Sequence, residues 1–207
     1  MASAGETSHT RTVVANISLS LDGRIAGSAG EYDMSWIVPH AVSDGARSHM
    51  VHITGTATTA LLGRKNYQGF SGYWPAVADD DHADPRDRTF ARWLNEVEKV
   101  VFSRTLEQVD WHNARLATAD PAATVKQLRQ LEGGDIIVLA SVSVIRQLLD
   151  AGELDRLSIT LCPELVGGGE RLFTDGATMS SSWSLASTSA TDTGAIRLLY
   201  DRIRTGG

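Results

Sequence analysis

The run 13–21 alternates strictly, with Val13, Ala15, Ile17, Leu19 and Leu21 on one face and Val14, Asn16, Ser18 and Ser20 on the other. A period of two predicts a β-strand with one apolar side. Its polar side suits either solvent or the floor of a ligand pocket. Asp22-Gly23 then turns the chain, and Arg24-Ile25-Ala26-Gly27 leads into a glycine- and serine-containing loop ending near Glu31. Further apolar runs predict strands over 58–62, 99–102, 136–139 and 157–161. The continuous Ile136-Ile137-Val138-Leu139 is expected to be buried on both faces. Runs 184–190 and 196–204 flank Thr191-Asp192-Thr193-Gly194 and predict a closing antiparallel hairpin.

Helical spacing falls between these strands. Val42, Ala46, Met50 and Ile53 predict a helix over 41–53, interrupted by Gly45. The aromatic segment 70–75 reads as too short for a core helix, the polar run 79–88 as a surface loop, and 90–97 as a short helix. Asp120 as N-cap, Pro121 in the first turn and Gly133-Gly134 as the stop predict a helix over 121–131. A further helix is expected over 144–151, ended by Gly152, and Gly167-Gly168-Gly169 predicts a sharp turn. Strands alternating with helices make this an α/β chain. One domain over 12–204 is expected, after a disordered tail over 1–11.

With 207 residues, 42% of them hydrophobic, the chain can bury a core without disulfides. The lone Cys162 reads as a structural thiol and fits a reducing compartment. A net charge of −6, with acids and bases interspersed, argues against nucleic acid as a partner. No apolar run approaches the length of a membrane span, and the first ten residues lack a signal-type segment, so a cytoplasmic location is expected.

Candidate chemistry begins at Gly63, where a strand end meets a helix start and Arg64 and Lys65 follow. Free N–H groups, the helix dipole and two cations there favour an anion. Strand-to-turn junctions after Phe102 (Ser103-Arg104) and after Leu139 (Ala140 to Val144) are expected to repeat this chemistry. Three such strand ends point to a phosphate-rich cofactor. His49 and His52 lie three apart on a helix, but no further ligands are placed near them, so no metal site is assigned. The acids of 79–88 read as solvated, with a divalent-cation site as the alternative.

These residues resemble the dihydrofolate-reductase-like superfamily, in the branch typified by the reductase domain of the bacterial riboflavin-biosynthesis deaminase-reductase and its stand-alone relatives. The resemblance rests on Ser20-Leu21-Asp22-Gly23, Trp36-Ile37, Leu62-Gly63-Arg64-Lys65-Asn66-Tyr67, Tyr73-Trp74-Pro75 and the run from Val100 to Leu106. Leu148-Leu149-Asp150-Ala151-Gly152 and the run from Pro163 to Phe173 complete it. It implies a three-layer α/β/α fold around a mixed, mostly parallel sheet, a homodimer, and hydride transfer from NADPH to a pteridine- or pyrimidine-like ring.

Carried over, Gly63, Arg64, Lys65 and Asn66 would hold the cofactor's phosphates, and Ser103 and Arg104 would lie near a 2′-phosphate. Ala140, Ser141, Val142, Ser143 and Val144 would cradle the pyrophosphate. Ser18 would line the nicotinamide side, with Asn16, Trp36, Tyr67 and Trp74 facing the substrate. The family usually has glycine where Ala140 stands, and an acid where Ser35 stands. No proton donor is assigned; His49, His52, Asp44 and Asp33 are the candidates. The alternative function is a non-catalytic nucleotide- or ligand-binding protein on the same fold, and a role without any cofactor is a third reading.

Overall fold

The computed structural model describes residues 11–30, 33–174 and 180–204. In chain order the elements are β1 (Val13–Ser20), α1 (Val38–Ala41), α2 (Asp44–Thr54), β2 (Ala57–Gly63), α3 (Arg64–Val77), α4 (Pro85–Glu96) and β3 (Glu98–Phe102). There follow β4 (Ala114–Leu116), α5 (Pro121–Leu128), β5 (Asp135–Leu139), α6 (Val142–Asp150), β6 (Arg156–Cys162), β7 (Ser182–Ala190) and β8 (Ile196–Ile203). The strands form one sheet in the order β4-β3-β2-β5-β1-β6-β8-β7. Pairings from β4 through β6 are parallel, and β6-β8 and β8-β7 are antiparallel.

Alternation along the strands explains the layers. Val13, Ala15, Ile17 and Leu19 point to one face, where Val125 and Leu128 of α5 and Ile145, Leu148 and Leu149 of α6 cover them. Val14, Ala60, Leu62, Ile137 and Leu139 point to the other, against Ile53 of α2, Tyr67 of α3, and Phe90 and Leu94 of α4. Ile136 to Leu139 are buried on both faces, as their continuous apolarity predicts. Leu21 leaves the stripe: it lies in the turn after β1 and is 54% exposed.

Several boundaries differ from the sequence expectation. The helix expected over 41–53 starts at Asp44, because Ser43 Oγ accepts from the Ala46 amide and caps it. The aromatic segment 70–75 is the second half of a 14-residue helix, α3, that begins at Arg64. Tyr67, Phe70 and Trp74 fall three and four apart and bury one stripe, which outweighs Gly69, Gly72 and Pro75. The polar run 79–88 contains the start of α4, with Asp84 accepting from the Arg86 amide and Pro85 in the first turn. Three of its acids hold arginines: Asp81 holds Arg88, Asp84 and Asp87 hold Arg47, and Asp84, together with Asp44 of α2, holds Arg86. The short β4 went unanticipated, since three residues are too few for a periodic signal. Arg11, placed in the tail, is 5% exposed and donates to the Gly134 and Leu128 carbonyls and to Thr58 and Thr59. The rest of the expected tail lies outside the described residues.

Lys99 is fully buried, and its Nζ donates to the carbonyls of Leu94, Asn95 and Val97 at 2.8, 3.0 and 2.7 Å. It therefore satisfies the C-terminal end of α4, with the ammonium over the Trp111 ring. Lys99→Met keeps the aliphatic stem but leaves three carbonyls without a donor. A loss of about 3 kcal/mol is expected, measured by urea denaturation. A loss below about 0.5 kcal/mol, the scale of an ordinary surface substitution, would contradict this role.

Candidate functional site

At the carboxyl ends of β1, β2, β3 and β5 lies a cavity of about 1150 Å³. It exists because β2 and β5 are neighbours while their following helices diverge. Helix α3 packs on one face of the sheet and α6 on the other. Such a crevice is where open α/β sheets bind ligands.

Ser18, Gly63, Arg64, Lys65, Asn66, Ser103, Arg104, Ala140, Ser141, Val142 and Ser143 all line it. Their roles separate by the bonds they already make. Ser141 Oγ accepts from the Gly63 amide at 2.8 Å and donates to the Leu139 carbonyl at 2.9 Å, clipping β2 to β5. Being 2% exposed, Ser141 is a brace, and the Gly63 amide is likewise taken. Gly63 itself lines the cavity, and a Cβ there would make only ordinary contacts, at 3.7–3.8 Å from Ser141 and Ser143. Ser103 Oγ accepts from the Thr105 and Leu106 amides, and no helix follows it. The junction after Phe102 is thus a hydroxyl-stabilised turn without the helix dipole expected to act there, unlike the junctions after Leu62 and Leu139.

Val144 does not line the cavity. Its side chain is in the core and its amide donates to the Ser141 carbonyl at 3.0 Å. The first amides of α6, at Val142 and Ser143, are the ones helix geometry leaves without an intrahelical acceptor. Ala140 holds φ of +48°, the left-handed conformation that glycine adopts freely, and costs on the order of 1 kcal/mol for it. The side chains of Ser18, Asn66 and Arg104 make no hydrogen bond or ion pair among the described residues, and Arg64 reaches only Gln68 at 3.3 Å.

The residues expected at the substrate do not gather there. The Tyr67 hydroxyl accepts from the Asp110 and Trp111 amides, fixing the 103–113 segment. Trp74 packs edge-on against Phe90 at 4.6 Å. Asn16 sits deeper on β1, its Oδ1 accepting from Ser158 Oγ at 3.0 Å and its Nδ2 directed at Met50 Sδ. Trp36 has a buried indole N–H with no partner, beside Met34 and Ile37, which do line the cavity. Ile25, Ala26, Met34, Ile37, Phe70 and Phe102 supply apolar wall that the sequence reading missed. Their signal was weak, because all but Phe70, which lies within α3, come from loops and element ends.

Two further devices shape the site. The Asp22 carboxylate accepts from Ser20 Oγ at 2.7 Å and from the Val166 and Gly167 amides at 3.1 and 3.0 Å. These bonds, the Ser20 hydroxyl foremost, hold its carboxyl well below the usual carboxylate range. The turn after β1 is thereby zipped to the glycine segment. Gly169 (φ +85°) has no room for a Cβ, which would strike the Ala26 and Gly27 carbonyls. Arg146 of α6 then holds the same segment through the Leu172 carbonyl, the Arg171 carbonyl and Glu170.

No group of three His, Cys, Asp or Glu among the described residues is placed to hold a metal. The four candidate proton donors are elsewhere: Asp44 on Arg86, Asp33 on Ser35 and the Ala29 amide, His49 on Ser158, and His52 at the surface. Burial of Cys162 pushes its thiol up to about 11, as suits a structural residue.

A family model described as the RibD C-terminal domain matches residues 11–196. The chain belongs to that family. It is 25% identical over 190 residues to the uncharacterized protein YyaP of Bacillus subtilis (strain 168), covering 92% of this chain and 94% of that one. A putative riboflavin biosynthesis protein from Shewanella sp. PV-4 superposes with a TM-score of 0.68 at 21% identity, over 93% of this chain and 99% of that one. A pyrimidine reductase-like protein from Corynebacterium diphtheriae gives 0.66 at 15%, over 98% and 96%. A diaminohydroxyphosphoribosylaminopyrimidine deaminase/5-amino-6-(5-phosphoribosylamino)uracil reductase from Thermotoga maritima gives 0.63 at 14%, over 94% of this chain and 57% of that one. At these identities the likeness to solved structures is one of fold. The RibD-type, dihydrofolate-reductase-like architecture is the one described above, and family membership supports a reductase-like role.

His49 gives a pH prediction. Burial, with Arg197 and His52 adding charge repulsion, lowers it to about 4, against about 6.5 in the unfolded chain. Between those pH values the unfolded chain binds the extra proton, so stability falls as pH drops through that window and is complete above it. On the order of 3 kcal/mol is lost by pH 4. His49→Gln should flatten the change between pH 7 and 4.5 in urea titrations; an unchanged slope would remove His49 as its source.

Proposed function

We propose that the protein is an NADPH-dependent reductase of a small pteridine- or pyrimidine-like substrate. The observation that carries this is the convergence of two helix starts, α3 and α6, on one cavity whose wall also holds Arg64, Lys65 and Arg104. The residues fit a dinucleotide. Ala140 keeps the backbone course of a glycine, and Arg64, Lys65 and Arg104 line the same cavity as Ser18, Asn66 and the first residues of α6.

In this reading the first amides of α3, with Arg64, Lys65 and Asn66, hold phosphate, and Val142 and Ser143 offer amides to the pyrophosphate. Arg104, exposed beside Ser103, recognises a 2′-phosphate and so sets the preference for NADPH over NADH. Ser18 presents its hydroxyl on the nicotinamide side, and Met34, Ile37 and Ala26 keep water from the reacting ring. The bound cofactor supplies the hydride. The substrate default is a pyrimidine of the riboflavin pathway, and a cytoplasmic homodimer completes the proposal. Among the described residues no helix is long and apolar enough to cross a membrane.

One observation favours the non-catalytic alternative. The carboxylates on the cavity wall are engaged, Asp120 as the α5 N-cap and Glu170 on Arg146, so no acid there is poised to donate a proton. Binding without turnover is what that alternative predicts.

Thermal denaturation with NADPH and with NADH tests the binding half. At 100 Kd a cofactor adds about 2.7 kcal/mol. NADPH should raise Tm more than NADH, Arg104→Ala should reduce the NADPH shift to the NADH level, and Arg64→Ala should reduce both. No shift at saturating NADPH would overturn the reading. A shift without NADPH oxidation across pyrimidine and pterin substrates would select the binding-protein alternative.

A further inference from the structure

A second cavity, of about 240 Å³, lies between α2 and the β7–β8 hairpin, lined by Ser48, His49, His52, Ser187, Ser189, Arg197, Leu198 and Leu199. No residue is common to its wall and that of the strand-end cavity. On the sheet, register sets it out: Arg197 pairs with Ser189 across the hairpin and with Thr160 of β6, while Leu199 pairs with Ser187 and with Ser158.

Its polar lining is one-sided. It contains no carboxylate; its ionisable groups are Arg197, His49 and His52, with three serine hydroxyls beside them. Arg197 donates to the Gly45 carbonyl at 2.5 Å and to Ser189 Oγ at 2.7 Å, both neutral acceptors. Its Nε is buried with no partner, and the guanidinium has no carboxylate among the described residues. By contrast Arg47, Arg86, Arg129, Arg146 and Arg156 each hold one. A partly buried guanidinium held by neutral groups keeps its positive field unneutralised, and an unused buried donor is costly.

A neighbouring chain of bonds orders the opposite wall. Ser158 Oγ has one proton and spends it on Asn16 Oδ1, so His49 Nε2, 2.7 Å away, is the donor to Ser158. His49 is thereby held in place with its Nε2–H directed inward to the sheet. The remaining donors toward the cleft are the serine hydroxyls, His52 and the guanidinium.

We propose that this cleft is a second binding site, for a small oxyanion of the phosphate class, independent of the cavity at the strand ends. The volume holds on the order of eight waters, enough for a phosphate or a phosphate ester with a small organic group. The inference does not depend on the reductase reading.

The test is an amide and Arg Nε NMR titration of the full chain with inorganic phosphate, against sodium chloride at matched ionic strength. Saturable shifts are expected at His49, His52, Ser187, Ser189 and Arg197, with a Kd in the millimolar range, about −4 kcal/mol. Arg197→Gln should abolish them. Ser187→Glu, at an exposed position, should abolish them too by placing a carboxylate in the cleft while the remaining spectrum is preserved. Equal shifts with chloride, or phosphate shifts confined to Gly63, Val142 and Ser143, would overturn the proposal. Shifts in the cleft that persist in Ser187→Glu would also overturn it. Because NADPH titration reads the other cavity, its failure would leave this result standing.

Discussion

The site depends on a single topological constraint: β2 and β5 are parallel neighbours, yet the helices that follow them leave on opposite faces of the sheet. Two chains diverging from adjacent strand ends must open a crevice between them, and their helix starts must point into it. A crevice of this kind would weaken the sheet at its rim, since strand-end amides and carbonyls there have lost their next partner. Ser141 resolves this with one hydroxyl, which accepts from the Gly63 amide on β2 and donates to the Leu139 carbonyl on β5. Two peptide groups are satisfied in the place where the ladder stops. The helix that follows loses a side-chain N-cap as a result, and its first amides stay open to a ligand.

The opposite rim is built on the same economy of bonds. Asp22 turns a surface carboxylate into an acceptor for two backbone amides from a segment more than 140 positions away. Arg24 returns from the same turn to the Gly169 carbonyl, and Arg146 reaches across from α6 to the segment's other end. Glycine is required at position 169 because its neighbours are backbone carbonyls, which cannot rotate aside as side chains do. The turn after β1, the glycine segment and α6 therefore form one frame around the cavity mouth.

Much of this was legible in sequence where a local rule acts alone. Strict alternation located β1, Asp120-Pro121 located the start of α5, and apolar runs located β2, β3, β5 and β6 to within about two residues. Gly63 to Asn66 were legible as a candidate site because strand end, glycine and cations are contiguous there, and all four line the strand-end cavity. Where two rules compete, the reading failed. Pro75 and two glycines hid the aromatic stripe of α3, and a high density of Asp hid the N-cap of α4. Tyr67 and Trp74 look like a ligand's aromatic contacts by residue type, yet a neighbouring loop and Phe90 claim them, and such claims come from distant segments. Ser141 carries the same lesson, since nothing local distinguishes a hydroxyl that binds a ligand from one that braces two strands.

Charge distribution adds a last step. With 25 acidic against 19 basic residues, this chain has no shortage of carboxylates to neutralise an arginine. Lack of a carboxylate is not by itself diagnostic: Arg11 is satisfied by neutral acceptors, Arg202 lies over Trp183, and Arg92 and Arg171 are solvated at the surface. Arg64, Arg104 and Arg197 differ because each borders a cavity, where low-dielectric walls focus the field that solvent would otherwise screen. An anion entering either cavity therefore meets a potential opposite in sign to that of the protein as a whole. The net charge of −6 repels such a ligand at long range, so selection among anions falls to the short-range geometry of amides and guanidinium groups. In the proposed reading, that is the condition under which a 2′-phosphate, with its extra charge and three oxygens, would be distinguished from a hydroxyl.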